Sequence, residues 1–298
     1  MKRTLVLGAG MLGYYLRPFS PTFASRSPRD WAVQNGTDVD SNNFHMVDVL
    51  DLDGLRKVVQ KVDPEVIINT AVYGNINLCE QNPKIAERVN HQGQRNAISV
   101  CNELGVKMVY ISTNSVFCGR SGNYPEDHKP HPDTVYGRTK LLGEGATREE
   151  ADDWAIFRIT ALFGDYPGFQ DFVQLLIREL RAGRDMDCWD QVISPSYGPF
   201  VAEAIMELIE GGAEGVWHVA GREQLSRLRI GEIVQNKLKG MDGDTGIDVG
   251  EVSVIATPNG LPINRTLSIK KLTREYGHLN IPDFGDCVDK VIKGMTGE

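Results

Sequence analysis

The chain has 298 residues, 41% hydrophobic and 24% charged, with a formal net charge of −8, a balance that suits an ordinary globular core and argues against a large nucleic-acid-binding face. No apolar run approaches the roughly 18 residues needed to cross a bilayer, so no membrane partner is expected. The five cysteines (79, 101, 118, 188, 287) are odd in number and widely spaced with no C-x-x-C, which argues against a disulfide framework or a zinc site and leaves buried thiols as the expectation.

The first seven residues are basic and then apolar, but the apolar run is too short for a signal-peptide core and leads directly into glycines. A cytoplasmic protein is expected. Residues 4–7 read as a strand, followed by a glycine turn and a short helix that must stop near Pro18. Residues 22–25 and 44–47 are weaker strand candidates. Residues 51–62 carry Leu52, Leu55, Val58 and Val59 at helical spacing and end at Asp63-Pro64. Val66-Ile67-Ile68 suits a strand buried on both faces. A long helix is expected over 84–104, closed by Gly105, and a second buried strand over 108–111.

Residues 120–134, rich in Pro, Gly, Asp and His, read as a long loop; a helix over 135–150 and a strand over 154–159 follow. Beyond 164 the alternation loosens into helices at 171–182, 229–238 and 283–292 and a strand at 216–219. The polar, turn-rich stretch 240–246 is expected to be mobile. No internal repeat or low-complexity tract is present. Strand and helix alternating at this rhythm predict an α/β fold, a doubly wound parallel (Rossmann) sheet over 1–165. A smaller C-terminal substrate lobe is expected over 166–298, with segments returning to the first domain.

Gly8-Ala9-Gly10-Met11-Leu12-Gly13 is a G-x-G-x-x-G placed directly after a strand and at the opening of a helix. Glycines there permit a tight turn, let backbone N–H groups approach a diphosphate, and aim a helix N-terminus at it. A purely structural turn is the competing reading, which the strand–turn–helix context disfavours. NAD-binding chains usually carry an acidic residue about twenty positions on. Here that region reads Phe23-Ala24-Ser25-Arg26-Ser27-Pro28-Arg29, with Arg26 available either to pair with the 2′-phosphate of NADP or to stay solvated. Asp48 and Val49 are candidates to flank the adenine.

Tyr136-Gly137-Arg138-Thr139-Lys140 places a phenol and an ammonium four residues apart on one helix face. A nearby cation favours the phenolate and lowers a tyrosine pKa from its usual value near 10, which would let the phenol give a proton to a carbonyl oxygen as hydride reaches carbon. An exposed helix pair is the plain alternative. Thr113, at the end of the 108–111 strand, is placed to hydrogen-bond the same carbonyl, and Asn69-Thr70-Ala71 reach the same edge of the sheet, where ligands bind outside the carboxyl ends of parallel strands.

Taken together, these stretches resemble an extended short-chain dehydrogenase/reductase, and within it the dTDP-4-dehydrorhamnose reductase (sugar-nucleotide-binding) branch. The resemblance rests on residues 8–13, 63–71, 110–117 and 136–144, with Pro132 before the last. Asp190-Gln191, Pro195-Ser196 and 215–221 match later landmarks. It implies Thr113, Tyr136 and Lys140 as catalytic residues. It also implies a cofactor wall from Gly8, Gly10, Met11, Leu12, Gly13, Arg26, Asp48, Val49, Asn69, Thr70 and Ala71. NADP is the implied cofactor with NAD as the alternative, a nucleotide sugar the substrate, no metal, and a homodimer the expected assembly. The implied activity is NAD(P)H-dependent reduction of a 4-keto group. An NADP-binding regulatory subunit without turnover and a sugar-nucleotide epimerase are the rivals.

Departures concentrate in the substrate pocket. Asn114 stands where the reductases carry an aspartate after the threonine, Gly74 where a substrate-touching threonine is usual, and Ala161 where a tryptophan follows the sixth strand. An aspartate before the Cys79-Glu80 pair appears here as Asn77. With Ser115, Gly74, Asn114 and Ala161 are the substrate-side candidates. Asn114 argues against a dehydratase, which needs an acid there. His128 and His131 beside Glu126 and Asp127 read as a solvated loop rather than a metal site, and 148–153 as a solvated helix end. Trp217 reads as core; Trp189 and Tyr197 remain open between core and base stacking.

Overall fold

Parallel strands with hydrophobic residues on both faces need cover on both sides, and the chain supplies it with alternating helices. The computed structural model describes residues 1–27, 43–167, 171–241, 249–257 and 263–296. Two compact units divide the chain: residues 1–118, 126–159 and 202–218, and residues 119–125, 160–201 and 219–298. Pro28 and Arg29 lie outside the described residues, as does most of the 240–246 stretch.

The first unit contains a seven-stranded Rossmann-like sheet. Strands β1 (Thr4–Leu7), β2 (Thr22–Ser25), β3 (Phe44–Met46), β4 (Val66–Asn69), β5 (Lys107–Thr113) and β6 (Trp154–Ile159) are joined at one edge by the strand Gly215–Val219. Across the sheet the order is Gly215–Val219, β6, β5, β4, β1, β2, β3. Registers run parallel: Leu5 opposes Ile67 and Thr22, and Ile68 opposes Val109. Strand order reverses beside β1, so the switch point falls between β1 and β4, where such sheets open a crevice. β1, β4 and β5 are buried along their whole lengths, as the apolar runs Leu5-Val6-Leu7, Val66-Ile67-Ile68 and Met108-Val109-Tyr110-Ile111 require.

Helices α1 (Met11–Leu16), α2 (Leu52–Val62), α3 (Ile76–Gln81), α4 (Pro83–Glu87), α5 (Gly93–Leu104) and α6 (Val135–Glu150) belong to the same unit. Asp51 caps α2 by accepting from the Gly54 N–H at 3.0 Å, and the helix ends as expected at Asp63, in the left-handed region with φ 49°. Gly105, φ 67°, closes α5. The helix expected over 84–104 is interrupted: Arg88–Gln92 is a π-helical turn between α4 and α5. The core between α2, α5 and the sheet is built from residues such as Leu5, Leu55, Ile67, Ile98 and Met108.

The second unit has its own core of Val173, Leu176, Ile177, Leu180, Ile230, Val234, Val288 and Val291. Its helices include Phe172–Arg181, Arg227–Met241 and Phe284–Thr296. Its strands are two to four residues long and pair in small sheets, for example Met186–Trp189 with Val252–Ile255 in parallel. The helix Gly198–Glu210, whose residues 202–210 belong to the first unit, has no counterpart in the sequence-based expectations, although its only exposed residues, Glu203, Glu207 and Glu210, recur at helical spacing.

Candidate active site

The glycine turn leaves β1 with Gly8 at φ 101°, a conformation side chains resist. A Cβ on Gly8 would come 2.7 Å from Thr70 Oγ1 and 2.8 Å from the Ala71 nitrogen. The Thr70 hydroxyl donates to the Leu7 carbonyl at 2.9 Å, tying the end of β4 against that of β1. Gly10 is the N-cap of α1 and offers no side-chain cap, so the first N–H groups of the helix remain for a ligand. Beside the turn is a cavity of about 240 Å³ whose lining includes Gly8, Ala9, Gly10, Arg26, Asp48, Val49, Thr70, Ala71 and Tyr73. A wall stripped of side chains at 8 and 10 fits the diphosphate of a dinucleotide.

Seven residues nominated from sequence meet in this wall: Gly8, Gly10, Arg26, Asp48, Val49, Thr70 and Ala71. Leu12 and Gly13 are buried behind the turn, with Gly13 packed against the Gly8 carbonyl, and Met11 begins α1 off the wall. Asn69 is buried and structural: it donates to Gln94 Oε1 at 2.6 Å and accepts from the Ala71 N–H at 3.0 Å, holding the β4 end in shape.

Tyr136 and Thr113 are brought together. Thr113 ends β5, and its hydroxyl hydrogen-bonds the Tyr136 phenol while accepting from the Ser115 N–H at 3.1 Å. This approach depends on Gly137, where a Cβ would collide with the Ser115 carbonyl. Thr134 starts α6 by capping the Gly137 N–H at 3.1 Å. Burial pushes the phenol up to about 12, with the hydrogen bond from Thr113 pulling the other way.

Lys140 departs from the sequence argument. Its ammonium is buried, donates to the Ile111 carbonyl at 2.7 Å and sits 3.9 Å above the Tyr110 ring. The groups that set the Tyr136 pKa are the surrounding protein and Thr113, not this cation. Desolvation lowers Lys140 itself to about 7, opposed by the Glu144 carboxylate. The expected tuning of the phenol by the amine is therefore absent here; a buried amine is drawn instead to the nearest carbonyl and aromatic face.

Three groups around this pair went unread in the sequence. Asn90, in the π-helical turn, donates to the Tyr73 carbonyl at 3.1 Å and to Thr139 Oγ1 at 3.0 Å, and its own carbonyl accepts from the Tyr110 hydroxyl at 3.1 Å. Such turns often mark functional sites, because the extra residue frees a backbone carbonyl for another partner. Cys79 is buried close enough to Tyr136 to add to its raised pKa, and its thiol donates to the Tyr73 carbonyl. Glu144, completely buried, accepts from Ser112 at 2.6 Å, from Arg158 at 2.9 and 2.8 Å and from Arg148 at 2.7 Å. Burial would raise this carboxyl, but the arginines and Ser112 hold it below its ordinary range. An arginine inside the buried strand Trp154–Ile159 was the available signal, since such a charge demands a partner.

The helix end at 148–153 is solvated, as expected, with only Ala151 not fully exposed; its charges pair at the surface, Arg148 with Glu144, Glu150 with Arg95, and Asp153 with the nearly buried Lys107 at 2.5 Å. Of the substrate-side candidates, Asn114 and Ser115 form the turn after Thr113, and Gly74 is exposed in the segment after β4. Ala161 belongs to the second unit, at φ 40°. His128 lies edge-on to Phe117, with centroids 5.7 Å apart. Trp217 is core, as expected, and its indole donates to the Glu214 carbonyl. Trp189 is largely exposed, and Tyr197 packs on Phe163.

The pattern of the RmlD substrate binding domain family matches residues 7–296. The chain belongs to that family. Its fold and glycine turn are those of the extended short-chain dehydrogenase/reductases, with dTDP-4-dehydrorhamnose reductases among its relatives. It is 31% identical to the dTDP-4-dehydrorhamnose reductase of Mycolicibacterium smegmatis over 231 residues, covering 76% of this chain and 66% of that one. It is 29% identical to methionine adenosyltransferase 2 subunit beta of Xenopus tropicalis over 240 residues, covering 77% and 70%. The solved dTDP-4-dehydrorhamnose reductase of Bacillus anthracis in complex with NADP superposes with a TM-score of 0.79 at 24% identity, covering 97% and 98% of the two chains. No described helix is long and apolar enough to cross a membrane.

Proposed function

We propose that this RmlD-family protein is an NADP-dependent reductase of a nucleoside-diphosphate sugar carrying a 4-keto group. The observation that carries this reading is the hydrogen bond between Tyr136 and Thr113 at the carboxyl end of β5, with only β4 between it and β1, the strand that leads into the glycine turn. Relatives named as dTDP-4-dehydrorhamnose reductases support the substrate class, and a structural neighbour solved with NADP supports the cofactor.

A reduced nicotinamide dinucleotide, held by the cavity that Gly8, Gly10 and Thr70 line, would supply the hydride for the sugar's C4. Tyr136 gives its phenolic proton to O4, so one hydride and one proton convert ketone to alcohol. The Thr113 hydroxyl orients O4 and lowers the cost of the phenolate left behind. The phenolate regains its proton from water as product leaves, while the Lys140 amine stays on the Ile111 carbonyl one turn along. Asn90 and Tyr110 hold the helix and the amine in place. Arg26, exposed on the rim of the cavity, takes the cofactor's 2′-phosphate.

A second reading is a binding subunit without turnover, favoured by the similarity to methionine adenosyltransferase 2 subunit beta. Oxidation of NADPH, followed by absorbance with dTDP-, UDP- and GDP-linked 4-keto-6-deoxy sugars, separates the two. Turnover of one of them that disappears in Tyr136→Phe supports the reductase. Tight NADPH binding with no turnover of any of the three favours the binding subunit.

A further inference from the structure

The first turn of the helix that carries Tyr136 is held from outside. The N–H groups that open an α-helix have no acceptor within it, so those of α6 must find partners elsewhere. Thr134 takes the Gly137 N–H at 3.1 Å. The N–H of Val135, the residue before Tyr136, donates instead to Glu80 Oε1 at 2.7 Å, across 55 positions of chain. Glu80 belongs to α3, a short helix that packs on α6 and that Asn75 caps through the Leu78 N–H at 3.0 Å. The preceding residue, Cys79, is completely buried close to Tyr136, with its thiol on the Tyr73 carbonyl. Asn90 fixes the same segment, accepting from the Tyr73 N–H at 2.8 Å and donating to the Tyr73 carbonyl at 3.1 Å.

Tyr136 is therefore bracketed along its own backbone. On one side Glu80 holds Val135; on the other the Tyr136 carbonyl accepts from the Thr139 hydroxyl at 3.0 Å, and Asn90 donates to that hydroxyl at 3.0 Å. Gly137 already lies against the Ser115 carbonyl, so a helix start that loosens moves away from the end of β5 and from Thr113. We propose that Glu80 is a positioning residue: through the Val135 N–H it sets the approach of the Tyr136 phenol to Thr113, without lining the glycine cavity itself. The proposal rests on Tyr136 being the proton donor. Glu80 is exposed, so water and salt screen its charge, and what it contributes is an oxygen at the right reach. Such an anchor matters because displacing a reacting group by about 1 Å can cost roughly 10²-fold in rate.

Hydrogen exchange read by mass spectrometry reports the anchor without any turnover. In Glu80→Ala the Val135 amide, followed in peptides spanning 131–140, is expected to exchange at least ~3-fold faster than in wild type. Glu80→Gln keeps an oxygen at the same reach and restores the protection. On whichever keto-sugar nucleotide the wild type reduces, Glu80→Ala lowers kcat by about 10-fold and leaves NADPH affinity within about twofold. Glu80→Gln recovers kcat to within about 3-fold of wild type. The ratio of wild-type to Glu80→Ala rates is the same at low and high NaCl, as a geometric role requires and a charge role does not. Circular dichroism and NADPH binding show that each variant is folded. Equal exchange in all three proteins overturns the anchor. Faster exchange with undiminished kcat overturns the positioning role, as does a Glu80→Gln that falls as far as Glu80→Ala. If the wild type reduces no sugar, the reductase reading fails on its own, and the exchange comparison still decides whether Glu80 holds the helix.

Discussion

The Tyr136 phenol is hydrogen-bonded to the Thr113 hydroxyl, while the Lys140 ammonium one turn along turns away to the Ile111 carbonyl. Removing the threonine hydroxyl therefore removes the one interaction that lowers the phenol's pKa. If Tyr136 is the proton donor, Thr113→Val lowers kcat by about 10- to 100-fold and Tyr136→Phe by about 10²- to 10⁴-fold. NADPH affinity, followed by fluorescence, stays within about twofold in both, since neither side chain lines the glycine cavity. Equal loss of NADPH affinity and kcat would move both residues out of the proton-transfer role.

Lys140 links the same site to stability. Its pKa is lowered from 10.5 to about 7 by burial, so between those values the unfolded chain holds a proton that the native chain has released. Stability from this group therefore rises with pH from about 7 to 10.5, and the cost of the buried charge is felt in full below pH 7. Lys140→Met removes the titration. The variant's melting temperature relative to wild type is highest at pH 6 and falls as the pH is raised to 9. A difference constant over that range would mean that the buried amine does not lose its proton.

Arg26 is exposed at the rim of the cavity that Gly8 and Asp48 also line. A charge-assisted hydrogen bond to phosphate contributes about 1.5–3 kcal/mol. Arg26→Ala is expected to weaken NADPH by roughly 10- to 100-fold and NADH by less than about twofold. Titration calorimetry with both cofactors measures this directly, and equal weakening of the two would remove Arg26 from phosphate recognition.

What could be read from the chain was whatever is local. The glycine turn, the Tyr136–Lys140 spacing and the ends of β4 and β5 are encoded within a few residues, and the fold brings them to one sheet edge. The destination of the Lys140 amine was not local: it depends on the backbone of β5, 29 residues away. The same is true of Asn90, which reaches Thr139 across 49 positions and sits in a π-helical turn that helical periodicity smooths over. In the second unit the strands are too short for an alternating pattern to emerge, which is why only its helices were expected.

Glu144 and Arg158 form the most deeply buried ion pair of the first unit, with 0% and 1% side-chain exposure. Such a pair contributes little net stability, but removing one partner strands the other in a dry interior. Glu144→Gln leaves Arg158 half-satisfied, and Arg158→Met leaves the carboxylate to Ser112 and Arg148. Each is expected to cost about 3–5 kcal/mol in urea unfolding, whereas Glu144→Leu combined with Arg158→Met costs well under the sum. Because Ser112 precedes Thr113 and donates to Glu144, the single variants also disturb the end of β5 and lower kcat more than they change the affinity for NADPH. If the double variant instead loses the full sum, the ion pair stabilises this fold in its own right.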